Sequence, residues 1–168
     1  MNMLFYTSAV IAVISALLVI TNTNIMRAVM SLLVLILAVS SIFYTLGAPF
    51  VAVLQIIVYA GAILVLFVFV VMILNQGKEA QILERKWIIS GLGILPLLLT
   101  AILLVEFALT LASPVAVSGS TVLPKAVGIS LFTDYAVGVE LASVLLLAAL
   151  VAAFHFGRMP KPSEKDDE

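Results

Sequence analysis

Long apolar runs separated by short polar breaks organise this chain: Leu4–Ile20, Ala28–Leu46, Val51–Leu74, Trp87–Ala112 and Val137–Phe156. About twenty apolar residues in a helix rising ~1.5 Å per residue cover a hydrocarbon layer roughly 30 Å thick, so each run predicts a membrane-spanning helix. The first is interrupted only by Thr7, Ser8 and Ser15 and closes on Asn22-Thr23-Asn24. A secretory signal has a similar apolar length, but no basic segment precedes this run and no A-x-A-like site follows it, so it reads as a retained span. Gly47-Ala48-Pro49 predicts a tight turn between spans two and three. The segment Asn75–Lys86 is the most polar internal stretch, residues 113–136 read as a longer loop rich in Ser, Gly, Pro and Val, and a charged tail occupies 157–168.

Span three has neither charge nor proline, and at the same helical rise it covers about 36 Å. Its apolar positions go all the way round, as a helix among lipid and other helices requires. Gln55, Tyr59 and the patch Ala60-Gly61-Ala62 break that uniformity. With α-helical spacing Gln55, Tyr59 and Ala62 share one face, predicted to meet protein because an amide in lipid has no partner. Elsewhere, Ser8, Ala12 and Ala16 offer a small-residue stripe for close helix approach. Trp87 stands where an interfacial anchor belongs, and Pro96, with Gly91 and Gly93 nearby, predicts a kink through the bond lost to the Leu92 carbonyl.

Composition agrees with an all-α integral membrane protein of five transmembrane helices. The 168 residues are 64% hydrophobic and 10% charged, with a mean hydropathy of +1.32, values a water-soluble domain could not carry on its surface. A net charge of −1 provides no basic patch for nucleic acid. The absence of cysteine excludes disulfides, thiolate-held zinc and protein-ligated iron–sulfur clusters, and the single histidine, His155, excludes a bis-histidine haem within the chain. Of the eight Lys and Arg residues, Arg27, Lys78, Arg85, Lys86, Arg158, Lys161 and Lys165 fall on one side of a five-span arrangement and only Lys125 on the other. The amino terminus is therefore expected outside and the carboxyl terminus in the cytoplasm.

Candidate functional residues are few. Glu106 and Glu140 fall in spans four and five, and Gln55 in span three; all three are expected in the outer third of the bilayer. Carboxyls there either reach up to interfacial water or serve as polar contacts or proton relays between helices. Tyr59 lies deeper, where it packs or hydrogen-bonds across helices, and His155 reads as an interfacial residue beside Phe156 and Arg158. No Walker loop is present, Gly91-Leu92-Gly93 lacks the third glycine of a dinucleotide fingerprint, and a lone histidine makes no triad. The chain carries no recognisable active site of its own, and any redox chemistry is expected in a partner.

The segment from Gln55 to Leu74, QIIVYAGAILVLFVFVVMIL, closely resembles the third membrane helix of the subunit J family of bacterial proton-pumping NADH:quinone oxidoreductase, respiratory complex I, whose mitochondrial counterpart is the sixth membrane-encoded ND subunit. Lys125-Ala-Val-Gly-Ile-Ser-Leu-Phe132, Val139-Glu-Leu-Ala-Ser-Val-Leu-Leu-Leu147, Ala153-Phe-His-Phe-Gly-Arg158 and Thr21-Asn-Thr-Asn24 extend the resemblance. Span four and the loop after it match in hydropathy only. The resemblance implies a cofactor-free subunit of the bacterial inner membrane, near the junction of the two arms, beside subunits A, K and H, with NADH, FMN, iron–sulfur clusters and quinone held by partners. It also implies a π-bulge in helix three around Tyr59, whose change between α and π couples quinone chemistry to proton movement. Gly61 suits such a backbone change. Some relatives carry glutamate at the position of Gln55, which itself cannot titrate. A scaffold subunit of another membrane complex and a small secondary transporter are the alternatives, although the chain shows no internal repeat of the kind many transporters have.

Overall fold

The computed structural model describes residues 2–22, 25–74, 94–112 and 122–158, and among them all regular structure is helical. The chain divides into two compact units, Met1–Leu123 and Pro124–Glu168. In the first, α1 spans Asn2–Thr21, α2 Ile25–Thr45 and α3 Pro49–Leu74, followed by α4 at Ile94–Ala112. The second holds α5, Pro124–Thr133, and α6, Ala136–Gly157. Four helices, Met3–Thr21, Ile25–Thr45, Pro49–Leu74 and Ala136–Gly157, are long and apolar enough to cross a membrane, and Ile94–Thr110 is a shorter apolar helix. The chain is a multi-pass membrane protein.

Helix α2 forms the centre of the first unit. Its Val34 and Ala38 pack with Ile11 of α1 and with Leu99 and Leu103 of α4, while its Val29 and Ile36 pack with Ala60 and Leu64 of α3. Between α1 and α2 the buried seam of α1 is Leu4, Ser8, Ile11 and Ser15, with both serines fully enclosed. That 4-3-4 spacing is the heptad-like pattern of a left-handed crossing. The expected stripe Ser8-Ala12-Ala16 follows a 4-4 spacing, and beyond Ser8 it gives way to Ile11 and Ser15 because the seam follows the crossing and not the small residues alone. Ala12 packs at its edge.

The α2–α3 hairpin closes as the Gly47 signal predicts. The Gly47 N–H donates to Tyr44 O at 3.1 Å and the Ala48 N–H to Phe43 O at 3.1 Å, the paired bonds of a Schellman cap. That cap needs a left-handed residue, and Gly47 has φ 82°. Pro49 then opens α3, at a position where a missing N–H costs nothing. Seven residues before Gly47, Ser40 Oγ donates across the hairpin to Ala52 O at 2.8 Å. The Gly47 carbonyl accepts from the Val122 N–H at 3.1 Å.

Helix three is continuous in chain but not in hydrogen bonding. Pro49–Leu54 is α-helical, Gln55–Leu64 is π-helical, and Val65–Leu74 is α-helical again. The inward residues explain the wide turns. Ala52, Ala60, Leu64 and Val71 are the buried positions, and a regular α-helix would spread them around its axis. One extra residue taken up in the π segment returns them to a common face against α2. The wide turns alter the α-helical alignment expected of Gln55, Tyr59 and Ala62. Within the first unit Gln55 is half-buried, whereas Tyr59 and Ala62, aligned with it at 3.6 residues per turn, are exposed.

Two other expectations change or fall outside the described residues. Residues 113–136 are not loop throughout: Pro124–Thr133 is helical. Proline is favourable as a first helical residue, and the segment's later residues include Ala126, Val127, Ile129, Leu131 and Phe132. The N–H groups of Asp134 and Tyr135 both donate to Ser130 O, at 3.0 and 3.1 Å, and α6 starts at once. In α4, Pro96 is buried and its carbonyl accepts from Thr100 Oγ1 at 2.8 Å. The Leu92 carbonyl, the anchor at Trp87 and the start of the fourth run all lie outside the described residues.

Candidate functional site

The π segment of α3 gathers three of the sequence candidates, Gln55, Tyr59 and Gly61, on ten consecutive residues. Its entry is a bifurcated bond: the Gln55 N–H is shared between Ala52 O and Val51 O. Its exit is tight, with the Val65 N–H returning to Ala62 O. Between these ends the helix is wound with i→i+5 bonds, a pattern mostly seen as short insertions at functional positions. The segment contains no charged side chain, and Tyr59 is its only titratable one. What it offers is therefore backbone, hydrogen-bonded here in the π pattern.

Gly61 lies on the exposed side of this segment. A Cβ placed there would meet only Ile56 O, at 3.6 Å, an ordinary contact. Among the described residues of the first unit no side chain comes close enough to require a glycine. Close packing of Gly61 against another described helix of the first unit is thus excluded. Its conformational freedom, or a neighbour from another polypeptide, is what remains for it to serve.

Beside the start of the π segment is an apolar cleft of about 190 Å³ among α2, α3 and α4. Ser40, Tyr44, Ile56, Thr100, Leu103 and Phe107 are among its walls. Tyr44 and Phe107 meet edge to face, with ring centroids 5.4 Å apart, a favourable aromatic geometry.

Glu106 is separate from the π segment. It is half-buried on α4, and its carboxyl oxygen Oε2 hydrogen-bonds to Thr7 Oγ1 of α1. Thr7 is near the beginning of α1 and Glu106 near the end of α4, so the two helices run antiparallel, in accord with the packing of Ile11 on Leu99 and Leu103. In sequence Thr7 was only a polar interruption of span one. The signal that could have found the pair is a matching depth, each residue standing about two turns from its helix end. Glu140 belongs to the second unit, where it is exposed in the second turn of α6. His155 occupies the last turn of that helix, where a histidine suits the carbonyl-rich end. There it stacks edge-on with Phe156 at 6.2 Å, while Arg158 lies 5.7 Å over the Phe154 ring. Among the described residues no three His, Asp or Glu side chains are grouped to hold a metal ion.

Comparison with known proteins gives a consistent match over nearly the whole chain. Residues 15–156 match the family described as NADH-ubiquinone/plastoquinone oxidoreductase chain 6. The chain is 52% identical over 161 residues to NADH-quinone oxidoreductase subunit J of Pseudomonas aeruginosa, covering 94% of this chain and 97% of that one. It is 47% identical over 174 residues to the subunit J of Escherichia coli K12, covering 99% and 95% respectively. With the subunit J of Buchnera aphidicola subsp. Schizaphis graminum the identity is 42% over 163 residues, covering 96% and 100%.

Proposed function

Since the chain belongs to the NADH-ubiquinone/plastoquinone oxidoreductase chain 6 family, we propose that it is a subunit of a proton-translocating NADH-quinone oxidoreductase in which α3 acts as a conformational joint. As a subunit it contributes to an enzyme complex without being the catalytic unit. The observation that carries the joint is the π-helical segment Gln55–Leu64 within an otherwise α-helical span. A helix that can pass between two hydrogen-bonding patterns converts a small local change into movement of everything beyond it, which is what coupling quinone reduction to distant proton transfer needs. Gln55, Tyr59 and Gly61 belong to that joint. Glu106 and Glu140 are the carboxyls within the described helices that are available to proton transfer.

The finer reading has five spans, with the amino terminus outside the bacterial inner membrane, the carboxyl terminus in the cytoplasm, and subunits A, K and H as neighbours. It rests on the Lys and Arg asymmetry, on the antiparallel arrangement of α1 and α4, and on the family. NADH, FMN, iron–sulfur clusters and quinone are held by the partners in this reading. The cysteine-free sequence with one histidine supports it, because it offers no thiolate ligand.

Gly61→Val tests the joint. A β-branched residue crowds the preceding turn and biases the backbone toward one pattern. Quinone reductase and proton-pumping rates should fall together while NADH oxidation by an artificial acceptor stays intact, with normal amounts of assembled complex. Reduced assembly with normal turnover per complex would instead assign Gly61 to packing against a partner. Normal assembly with normal coupled turnover would remove the joint from this position.

A further inference from the structure

We infer that Thr7 and Glu106 form a proton-binding pair between α1 and α4, able to take up and release one proton while keeping a hydrogen bond in both states. The argument is one of hydrogen-bond stoichiometry. Thr7 Oγ1 is 2.9 Å from Met3 O and 3.2 Å from Leu4 O, and it also meets Glu106 Oε2. A hydroxyl carries one proton and two lone pairs, so it cannot donate to all three oxygens at once. Two arrangements satisfy the geometry.

With Glu106 ionised, the carboxylate is an acceptor only. The Thr7 O–H then donates to Oε2, and the Met3 carbonyl keeps its ordinary backbone partner. With Glu106 neutral, the acid O–H donates to a lone pair of Thr7 Oγ1, and the Thr7 proton turns to Met3 O. On release the carboxyl O–H bond breaks, its electron pair stays on the carboxylate, and the proton passes to water. The Thr7 proton swings back from Met3 O to Oε2. The exchange needs only rotation of the hydroxyl about its C–O bond, with no change of rotamer in either side chain.

Among the described residues of the first unit, no charged neighbour imposes one state. Helix α1 carries no Asp, Glu, Lys, Arg or His, Glu106 is the only such residue of α4, and α3 has none. Helix α2 carries Arg27 alone, in its first turn, whereas the α2 residue beside Glu106's neighbour Phe107 is Tyr44, near the opposite end. By helical rise that separates Arg27 from Tyr44 by about 25 Å. Of the tyrosines on these helices, Tyr6 precedes Thr7 but is 67% exposed, Tyr44 faces Phe107, and Tyr59 is exposed on α3. The amino group of Met1 lies outside the described residues. Proton binding by the pair stands on this geometry, and its use in pumping rests on the function proposed above.

Infrared difference spectroscopy of the intact complex in its membrane, titrated with acid and base, reads the pair directly. Glu106→Gln should remove one carboxylic-acid carbonyl band. Thr7→Val keeps the shape but removes donor and acceptor, and should shift that band to higher frequency, while Thr7→Ser should leave it in place. A spectrum in which Glu106→Gln removes no such band at any pH overturns the inference. So does a band that Thr7→Val leaves unshifted, since Glu106 would then titrate without Thr7. If Thr7→Val does not assemble, Thr7→Ala, which also removes donor and acceptor, replaces it, and an unshifted Glu106 band is again the overturning result. The measurement needs no turnover, so failure of the joint at Gly61 would leave its outcome unaffected.

Discussion

Deleting Gly61 tests the geometry of α3 more sharply than replacing it. Ala52 and Leu64, both buried against α2, are twelve steps apart in sequence. In a regular α-helix each step turns about 100°, which would leave the two about 120° apart around the axis. Taking up one residue in the π segment reduces this to about 20°, and Val71, seven steps further on, stays within roughly another 20°. Deletion of Gly61 therefore permits an uninterrupted α-helix that still presents Ala52, Leu64 and Val71 to α2. The deleted chain should enter the complex in near-normal amounts, because Ala52, Leu64 and Val71 keep a common face. It should, however, lose coupled quinone reduction and pumping, because no wide turn remains to change. Assembled complex is measured on native gels, and turnover per complex with quinone and with an artificial electron acceptor. Failure to assemble would refute the alignment, and full coupled turnover would refute the joint.

Two further outcomes follow from the hairpin and the topology. Gly47→Ala forces a side chain into the left-handed region and should destabilise the α2–α3 hairpin by about 1–2 kcal/mol, seen as a lower unfolding temperature or less recovered subunit; an unchanged temperature would contradict the φ of 82°. Cysteines placed at Asn22 and Leu46, at opposite ends of α2, should react with an impermeant reagent from opposite faces, Leu46 from outside, and labelling of both from one face would overturn the proposed orientation.

Much of the fold was legible because hydropathy and turn chemistry are local. The ends of α1, α2, α3 and α6 lie within a few residues of the apolar runs, since lipid rewards apolarity at every position around a helix. Gly47 was readable for the same reason, as only glycine enters that cap cheaply. The inward face of α3 was not readable from spacing. Its register depends on a wide turn favoured by packing against α2, which the α-helical period used to align Gln55, Tyr59 and Ala62 does not contain. Helix α5 was missed because Ser, Gly and Pro in the residues before it dominated the composition of the whole stretch. Of the candidate site residues, Gln55, Tyr59 and Gly61 stood out as interruptions of an apolar run. Thr7 did not, because its meaning comes from a partner ninety-nine residues away.

The bond from Ser40 to Ala52 O gives the hairpin a fixed bearing. It holds the first turns of α3 to α2, and the Schellman cap at Gly47 secures the same end from the other side. A wide turn lying just beyond a clamped end cannot share its motion equally between the two directions. If the π segment tightens to α, the slack of one residue must be delivered to Val65–Leu74, as a turn of about 100° and an axial shift of ~1.5 Å. In the proposed joint the hairpin would therefore work as a crank with its journal at one end only, its output shaft the half of α3 that carries no hydrogen-bonding side chain except the weak thioether of Met72. An apolar shaft can revolve in a hydrocarbon medium without breaking polar bonds at each step, which is a physical reason for this stretch to be as featureless as it is.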